Sequence, residues 1–307
     1  MIRKHTRRAA KAAFAISLGV AIVIGLFAAS ARPAPAAGPT IIVGTKNFPE
    51  EFILGQLYKQ ALEAKGFTVK YKENIGSTEL IQTSLTSGKI NMYPEYTGVI
   101  VQVVFHRTSS PKSAAATYQL AKKLEATKGY TVLNPTPFYD TDVIAVTNAT
   151  ARKYGLKSIG DLKKAGSFKF GGFPECKTRT TCFVGYTKQY GITNATFLPL
   201  AGISAYAALD AGKVLAADVF STDPPLAKPS KYTVLADLKH VTGFQNVAPI
   251  VKASVAQAAG PTFAKTVNAV SAKLTQNAIL AMNKAVIVNK QSAASVAKSF
   301  LKANGLL

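Results

Sequence analysis

Two tyrosines and a carboxylate, Tyr93, Glu95 and Tyr96, stand together in the stretch Ile90–Gly98, Ile-Asn-Met-Tyr-Pro-Glu-Tyr-Thr-Gly. Their types and spacing suit the holding of a small molecule. The stretch begins as a short apolar strand, Ile90–Tyr93, and Pro94 is expected to end its ladder because proline has no N–H to give. Ligands of open α/β sheets bind outside the carboxyl ends of the strands, so rings on a loop at that point can meet one. The other use of Tyr93 and Tyr96 is plain packing in a half-buried wall, and this stretch alone leaves both open. Residues for covalent or acid–base chemistry do not assemble. The three histidines are His5, His106 and His240, and neither of the last two has a metal-ligand partner at helical spacing. There is no Gly-x-Ser-x-Gly elbow, no phosphate-cradling glycine loop and no Gly-x-Gly-x-x-Gly. Gly44-Thr45-Lys46 follows a strand, but three residues do not make a phosphate loop. Nothing selects a catalytic carboxylate pair. The expectation is a binding protein without enzymatic activity, metal or cofactor.

The elements that position these residues follow from apolar periodicity. Ile41–Gly44 is a continuous apolar run, hence a buried strand. Pro49 suits a first helical turn, with Glu50 and Glu51 favourable beside the positive end of the dipole. Ile53, Leu54, Leu57, Ala61 and Leu62 recur at helical spacing, and Gly66 stops that helix. Phe67–Tyr71 is a second strand. Ser77 is placed to cap a helix carrying Leu80, Ile81 and Leu85, which Gly88 ends. Ile90–Tyr93 completes β-α-β-α-β, which implies a parallel sheet with right-handed crossovers. Further helices are expected over Ser113–Lys128, Gly160–Ala165, Thr181–Tyr190 and Ser204–Gly212. Further strands are expected over Val143–Thr147, Phe168–Gly171, Phe197–Leu200, Ala216–Phe220, Tyr232–Ala236 and Val247–Val251. From Pro261 to Ala303 the pattern is helical, with breaks near Asn277 and at Asn289–Gln291. Two α/β units with a helical tail fit this order. Chain breaks near Asp140–Val143 and Phe244–Val247 let the chain cross out and back, which puts a cleft between the units.

Composition narrows the class. At 307 residues, 48% hydrophobic and 17% charged, the chain can build a large core and does not read as disordered. The net charge is +22, from 37 basic and 15 acidic residues. The basic residues are spread out, with no basic run interleaved with aromatics and no zinc-finger spacing, so nucleic acid is not the expected partner. A solvated basic surface is.

Residues 1–37 read as a targeting segment. Arg3, Lys4, Arg7, Arg8 and Lys11 form a positive start, Ala12 to Ala29 is apolar and uncharged, and a stretch rich in small residues and proline follows. Cleavage near Ala31 or Ala36–Ala37 is one outcome; retention as a membrane anchor is the other, because the apolar run is close to spanning length. Either outcome places the chain in an exported, periplasmic or cell-surface setting. No later segment is long and apolar enough to cross a bilayer. There the only two cysteines, Cys176 and Cys182, read as one disulfide closing a small loop.

The stretches Ile41–Glu51 (Ile-Ile-Val-Gly-Thr-Lys-Asn-Phe-Pro-Glu-Glu) and Met92–Gly98 (Met-Tyr-Pro-Glu-Tyr-Thr-Gly) resemble the substrate-binding proteins of osmoprotectant ABC importers, which bind glycine betaine, choline, carnitine or related quaternary ammonium compounds. Looser likeness runs through Cys176–Tyr186 and Phe220–Asp223 to Asn246–Ile250. The resemblance implies the type II periplasmic-binding-protein fold: two α/β lobes joined by a two-strand hinge with a cleft between them. Lobe I would comprise residues 38–141 plus 246–307, and lobe II residues 142–245. It implies a monomer that delivers a zwitterion or quaternary ammonium ion to a permease.

Residue by residue, the resemblance implies that Tyr96, Phe220 and Phe244 stand at positions of the family's aromatic cage, the last two lacking the family's tyrosine hydroxyl. Asp140 matches a polar residue facing the ligand head. Lys46 and Arg179 fall where some betaine binders clamp the carboxylate. Two positions depart from the pattern. Asp142 stands where a cage aromatic is usual, and Val99 replaces a threonine that often touches ligand. Asp142 would add a negative wall facing the cation, or pair with Arg179 or Lys46 and weaken the clamp, with Tyr139 filling the gap in the cage. It also favours the alternative of another zwitterion or amino acid on the same fold, since an α-amino group wants a carboxylate acceptor. An envelope enzyme is a more distant alternative.

Overall fold

The computed structural model describes residues 38–109, 111–200, 204–227 and 229–307. The expected targeting segment, residues 1–37, lies outside them. No helix among the described residues is long and apolar enough to cross a membrane.

The first sheet grows from the expected alternation. Strand β1 (Ile41–Lys46) is buried nearly throughout, as its apolar run requires. It leads into helix α1 (Pro49–Ala64), which has Pro49 at its start and Glu50 and Glu51 in its first turn. Strand β2 (Val69–Gly76), helix α2 (Thr78–Thr86) and strand β3 (Met92–Tyr96) follow. Ser77 is the residue before α2, but its hydroxyl donates to Glu79 (2.6 Å) instead of capping the backbone. β1 lies between β2 and β3 and is parallel to both. The sheet is mixed, however. Strand β10 (Val247–Lys252) returns from the far end of the chain and pairs antiparallel with β3, and the short β4 (Tyr130–Val132) closes the edge against β10.

Pro94 does not end β3, contrary to the expectation. The strand runs through it to Tyr96, and Pro94 lies opposite Pro249 of β10. The carbonyl of Pro249 accepts from the Leu133 amide (2.9 Å), on the side away from β3. Two prolines facing each other in a non-hydrogen-bonded pair draw on no N–H between the two strands, so a central ladder tolerates both.

The second sheet has the order β7-β6-β8-β5-β9. It contains β5 (Asp142–Thr147), β6 (Phe168–Gly172), β7 (Ala195–Pro199), β8 (Ala216–Phe220) and β9 (Tyr232–Leu235). β6 is parallel to β7 and β8, and β5 is antiparallel to β8 and β9. The expected helix at Gly160–Ala165 is a 3-10 turn, Ile159–Ala165, tied at its start by a capping box between Ser158 and Asp161. The chain passes between the sheets twice, and an isolated bridge between Tyr139 and Asn246 holds the two passages side by side.

The tail forms helices Pro261–Lys273, Gln276–Ile287 and Ala293–Ala303, its first break falling slightly earlier than expected. Phe263, Val267, Val270, Ile279, Val296 and Leu301 share one core with Leu54, Leu57 and Leu62 of α1. At roughly 1.5–3 kcal/mol for each fully buried large apolar side chain, this packing fixes α1, and with it the strand end that feeds the site. Separate cores serve the second sheet, one on each face of it: one includes Ile144, Phe170 and Tyr186, the other Leu200, Leu209 and Val219.

Candidate functional site

The strand ends of both sheets meet at one cleft. β1 delivers Lys46 at its last residue, and the approach to α1 delivers Phe48. β3 ends on Tyr96. From the second sheet come Asp142 at the start of β5, Phe173 just past β6, Asp218 and Phe220 on β8, and Glu175 and Arg179 from the loop after β6. Thr78 and Val99 line the cleft from the first half, and Asp140, Thr141 and Gln245 from the two passages.

Four rings cross this space as a row. Phe173 and Phe220 have centroids 5.8 Å apart, Phe220 and Phe48 5.1 Å, and Phe48 and Tyr96 6.3 Å, with ring planes within 27–29° of parallel. Offset stacking of this kind favours itself, and it presents π faces and edges drawn from both sheets. Two breaks from the expectation appear here. Phe244 does not line the cleft; it is 39% exposed, and it contributes its backbone carbonyl to the Thr97 hydroxyl (3.1 Å). Tyr139 is 54% exposed and does not fill the gap. Tyr93 is core: it is fully buried, with its hydroxyl held by Gln82.

Both expected basic residues are present in the lining, and both carry protein carboxylates. The Lys46 ammonium donates to Glu95 Oε1 (2.5 Å) and lies 3.7 Å from Glu51 Oε1. It also sits over the Tyr96 ring, 4.3 Å from the centroid. Arg179 donates through Nε and Nη2 to Glu79 of α2, at 3.0–3.3 Å. That fork joins the loop closed by the Cys176–Cys182 disulfide to the opposite half of the protein. Asp142 is ion-paired with neither base; no hydrogen-bonding or ion-pair partner meets its carboxylate among the described residues.

The acids are concentrated inward. Glu50, Glu51, Glu95, Glu125, Asp140 and Asp218 are all buried, out of 15 acidic residues in the chain. Glu50 is a junction. It accepts from the Tyr96 hydroxyl (2.8 Å), the Thr222 hydroxyl (2.7 Å) and the Asn283 amide (2.8 Å), which links α1 to both halves and the tail. Asp140 accepts from the Ser221 hydroxyl (2.9 Å) and the Thr222 amide (3.0 Å). Burial raises the Asp140 pKa well above the usual carboxylate range, and the charges of Glu50 and Asp223 raise it further. Asp218 is raised in the same way, by burial and then by Asp142. Asp142 is pushed up to about 6 by burial, against the lowering pull of Arg179 and Lys46. The sulfur atoms near Asp218 belong to the Cys176–Cys182 disulfide, so Asp218 faces a disulfide and not a pair of thiolate ligands.

The structure therefore brings together Lys46, Tyr96, Asp140, Asp142, Arg179 and Phe220 and leaves Phe244 outside. Sequence reasoning missed Phe48, Phe173, Glu79 and Asp218. Phe48 lies inside the Ile41–Glu51 motif, two residues past Lys46. Phe173 follows a strand end, where the same rule that selected Tyr96 applies. Asp218 precedes Phe220 by two, so the strand period puts both on one face. Nothing local in the sequence marks Glu79 as the partner of Arg179, 100 residues away.

Comparison with known proteins bears on this cleft. Residues 39–303 match the OpuAC family, described as the substrate binding domain of ABC-type glycine betaine transport system. The chain is 31% identical over 296 residues to the glycine betaine-binding protein YehZ of Escherichia coli K12, covering 91% of this chain and 95% of that protein. It is 30% identical over 295 residues to a glycine-betaine-binding protein of Pseudomonas aeruginosa, covering 92% of each. The solved structure of apo YehZ from E. coli superposes with a TM-score of 0.61 at 29% identity, over 87% of this chain and 99% of that one.

Proposed function

The chain belongs to the family of substrate-binding domains of ABC-type glycine betaine transport systems, and from that membership we propose that it is an exported solute-binding protein that holds a quaternary ammonium osmoprotectant, such as glycine betaine, between two lobes and performs no chemistry on it. Lobe I is assigned to residues 38–141 plus 246–307 and lobe II to residues 142–245. The observation that carries the ligand class is the row of four rings set among buried carboxylates. A quaternary ammonium head has no N–H to donate, so hydrogen-bond acceptors grip it poorly. Ring faces attract it at roughly 0.5–1 kcal/mol each when exposed and ~2 kcal/mol when desolvated. Tyr96 and Phe220 are assigned to the head, joined by Phe48 and Phe173. Asp140 stands behind them, held by the Ser221 hydroxyl and the Thr222 amide. Lys46 and Arg179 are the groups within reach of a ligand carboxylate, each having first to share or release its protein partner.

Ligand that touches both lobes stabilises the closed arrangement, and the monomer then presents that form to a permease. The targeting composition of residues 1–37 and the disulfide support action outside the cytoplasmic membrane. Calorimetry of the full chain with glycine betaine, choline, carnitine and proline betaine tests the ligand class. Binding of at least one below millimolar concentration is expected; silence from all four overturns it. A second reading, favoured by the free carboxylate of Asp142, is a primary-amine zwitterion on the same fold, and adding amino acids to that panel discriminates it.

A further inference from the structure

A pocket away from the ring row lies between α2, a π-helical turn at Ile100–Val104, the helix Ala114–Ala126 and β4. Its lining includes Gln82, Thr86, Val103, Phe105, Glu125 and Tyr130, and it shares only Thr78 with the cleft. We propose that this pocket is a second ligand site, which takes a primary ammonium ion on a short apolar stem, with the Glu125 carboxylate as acceptor. The proposal does not depend on which ligand the cleft holds.

The sequence sets the acid inside. Thr117, Ala121, Leu124 and Glu125 recur at helical spacing and form the buried face of the helix Ala114–Ala126. Glu125 is 1% exposed. The buried carboxylates Glu50, Glu95 and Asp140 each accept at least two hydrogen bonds. Glu125 Oε1 accepts none among the described residues. The donors around the pocket are already spent on the protein: the Thr78 hydroxyl on Glu95 (3.4 Å), the Gln82 amide on the Tyr93 hydroxyl, and the Thr86 hydroxyl on the Gln82 carbonyl (2.9 Å). What the pocket lacks is therefore a donor, and a buried carboxylate without one is costly.

Charge and shape narrow the donor to an ammonium on a stem. Burial holds the Glu125 pKa up to about 7, with Glu95 behind it adding to the rise and Lys128 opposing it. At pH 8 the carboxyl is ionised, and a charged N–H bonds to it more strongly than a neutral hydroxyl does. The other charged group on α2, Glu79, is already held by Arg179. Lys128 and His106 are exposed at the rim, where solvent screens them, so they weigh less than a direct bond to a desolvated carboxylate. Val103, Phe105 and Tyr130 give the stem an apolar wall. That wall departs from regular helix: after the π-helical turn, His106 takes a left-handed backbone at φ 51°, which a non-glycine residue adopts at a cost.

Calorimetry of the full chain at pH 8 with n-butylamine, an ammonium ion at that pH, tests the proposal. Binding at millimolar concentration or below is expected, and saturating glycine betaine should leave it unchanged. Glu125→Gln removes the charge and should weaken the amine by roughly tenfold or more. Thr86→Trp crowds the pocket from its exposed rim and should weaken the amine several-fold; it decides the matter should Glu125→Gln fail to fold. No binding at millimolar concentration overturns the proposal, as does binding that Glu125→Gln leaves unchanged. Amine displaced by glycine betaine belongs to the cleft and also overturns it. Failure of glycine betaine itself to bind counts against the cleft ligand alone, since the two variants still decide this site.

Discussion

Tyr96 has two separable jobs, and a pair of substitutions should pull them apart. Its ring closes one end of the aromatic row, 6.3 Å from Phe48. Its hydroxyl donates to Glu50, a buried carboxylate also bound by Thr222 and Asn283. Tyr96→Phe keeps the ring and deletes the donor. A hydrogen bond to a charged or buried group contributes about 1.5–3 kcal/mol, so the variant should lose about that much stability. For a chain of this size that is a fall in melting temperature of roughly 3–12 °C. Ligand affinity should change less than threefold. Tyr96→Ala removes the ring face as well. With a desolvated cation–π contribution of about 2 kcal/mol and a factor of ten for each 1.4 kcal/mol, affinity should fall about thirtyfold. Calorimetry with choline and glycine betaine, alongside thermal melts of each variant, reads both quantities. If Tyr96→Phe weakens binding as much as Tyr96→Ala, the hydroxyl and not the ring face holds the ligand, and the proposed recognition is wrong. If Tyr96→Ala leaves affinity intact, Tyr96 has no part in the site.

Three further expectations follow from particular contacts. Breaking the fork between lobes with Glu79→Ala should lower the affinity for a ligand without a carboxylate, such as choline, a few-fold at low ionic strength, and the difference should vanish near 1 M salt, because a half-exposed pair is worth up to about 1 kcal/mol and is screened; an effect that survives high salt would rule out a simple electrostatic latch. Replacing Cys176 and Cys182 together by serine opens a loop with a sequence separation of 6 and should cost about 2 kcal/mol in a denaturant titration, with ligand affinity reduced because Arg179 lies inside the loop; unchanged stability would refute this. Glu125 is buried, its Oε1 unpartnered among the described residues, and burial together with Glu95 pushes its pKa up to about 7. The folded state therefore holds the extra proton between the unfolded carboxyl pKa and about 7, and the stability tied to Glu125 declines as pH rises through that window. Glu125→Gln should flatten the decline and raise stability at pH 8 by about 3 kcal/mol, and melts from pH 5 to 8 showing parallel curves would contradict it.

Much of the first half was legible because its signals are local. The apolar run Ile41–Gly44, the helical spacing from Ile53 to Leu62 and the glycine stops fix the type and order of the elements through period alone. The strand-end rule found Tyr96, and the same rule reaches Phe173. The cysteine pair six residues apart has one partner each to choose from. Pro94 was misread because a proline's effect on a ladder depends on which edge its nitrogen faces, and that edge is set by β10, more than 150 residues away in sequence.

What the sequence by itself determined is therefore most of the strands and helices, though not the short β4, and the motif positions from which the family follows. Tertiary structure alone decided how the charges are shared out. Lys46 and Arg179 read as open clamps in one dimension, yet the fold gives them Glu95 and Glu79. It turns Phe244 outward, lays Phe48 between Tyr96 and Phe220, and leaves Asp218 Oδ1 without a donor among the described residues. The physical reason is range. Backbone propensity and side-chain period act over a few residues, whereas an ion pair or a ring stack is chosen among all the groups that chain crossing brings within a few ångströms, and that set exists only once the two sheets have met.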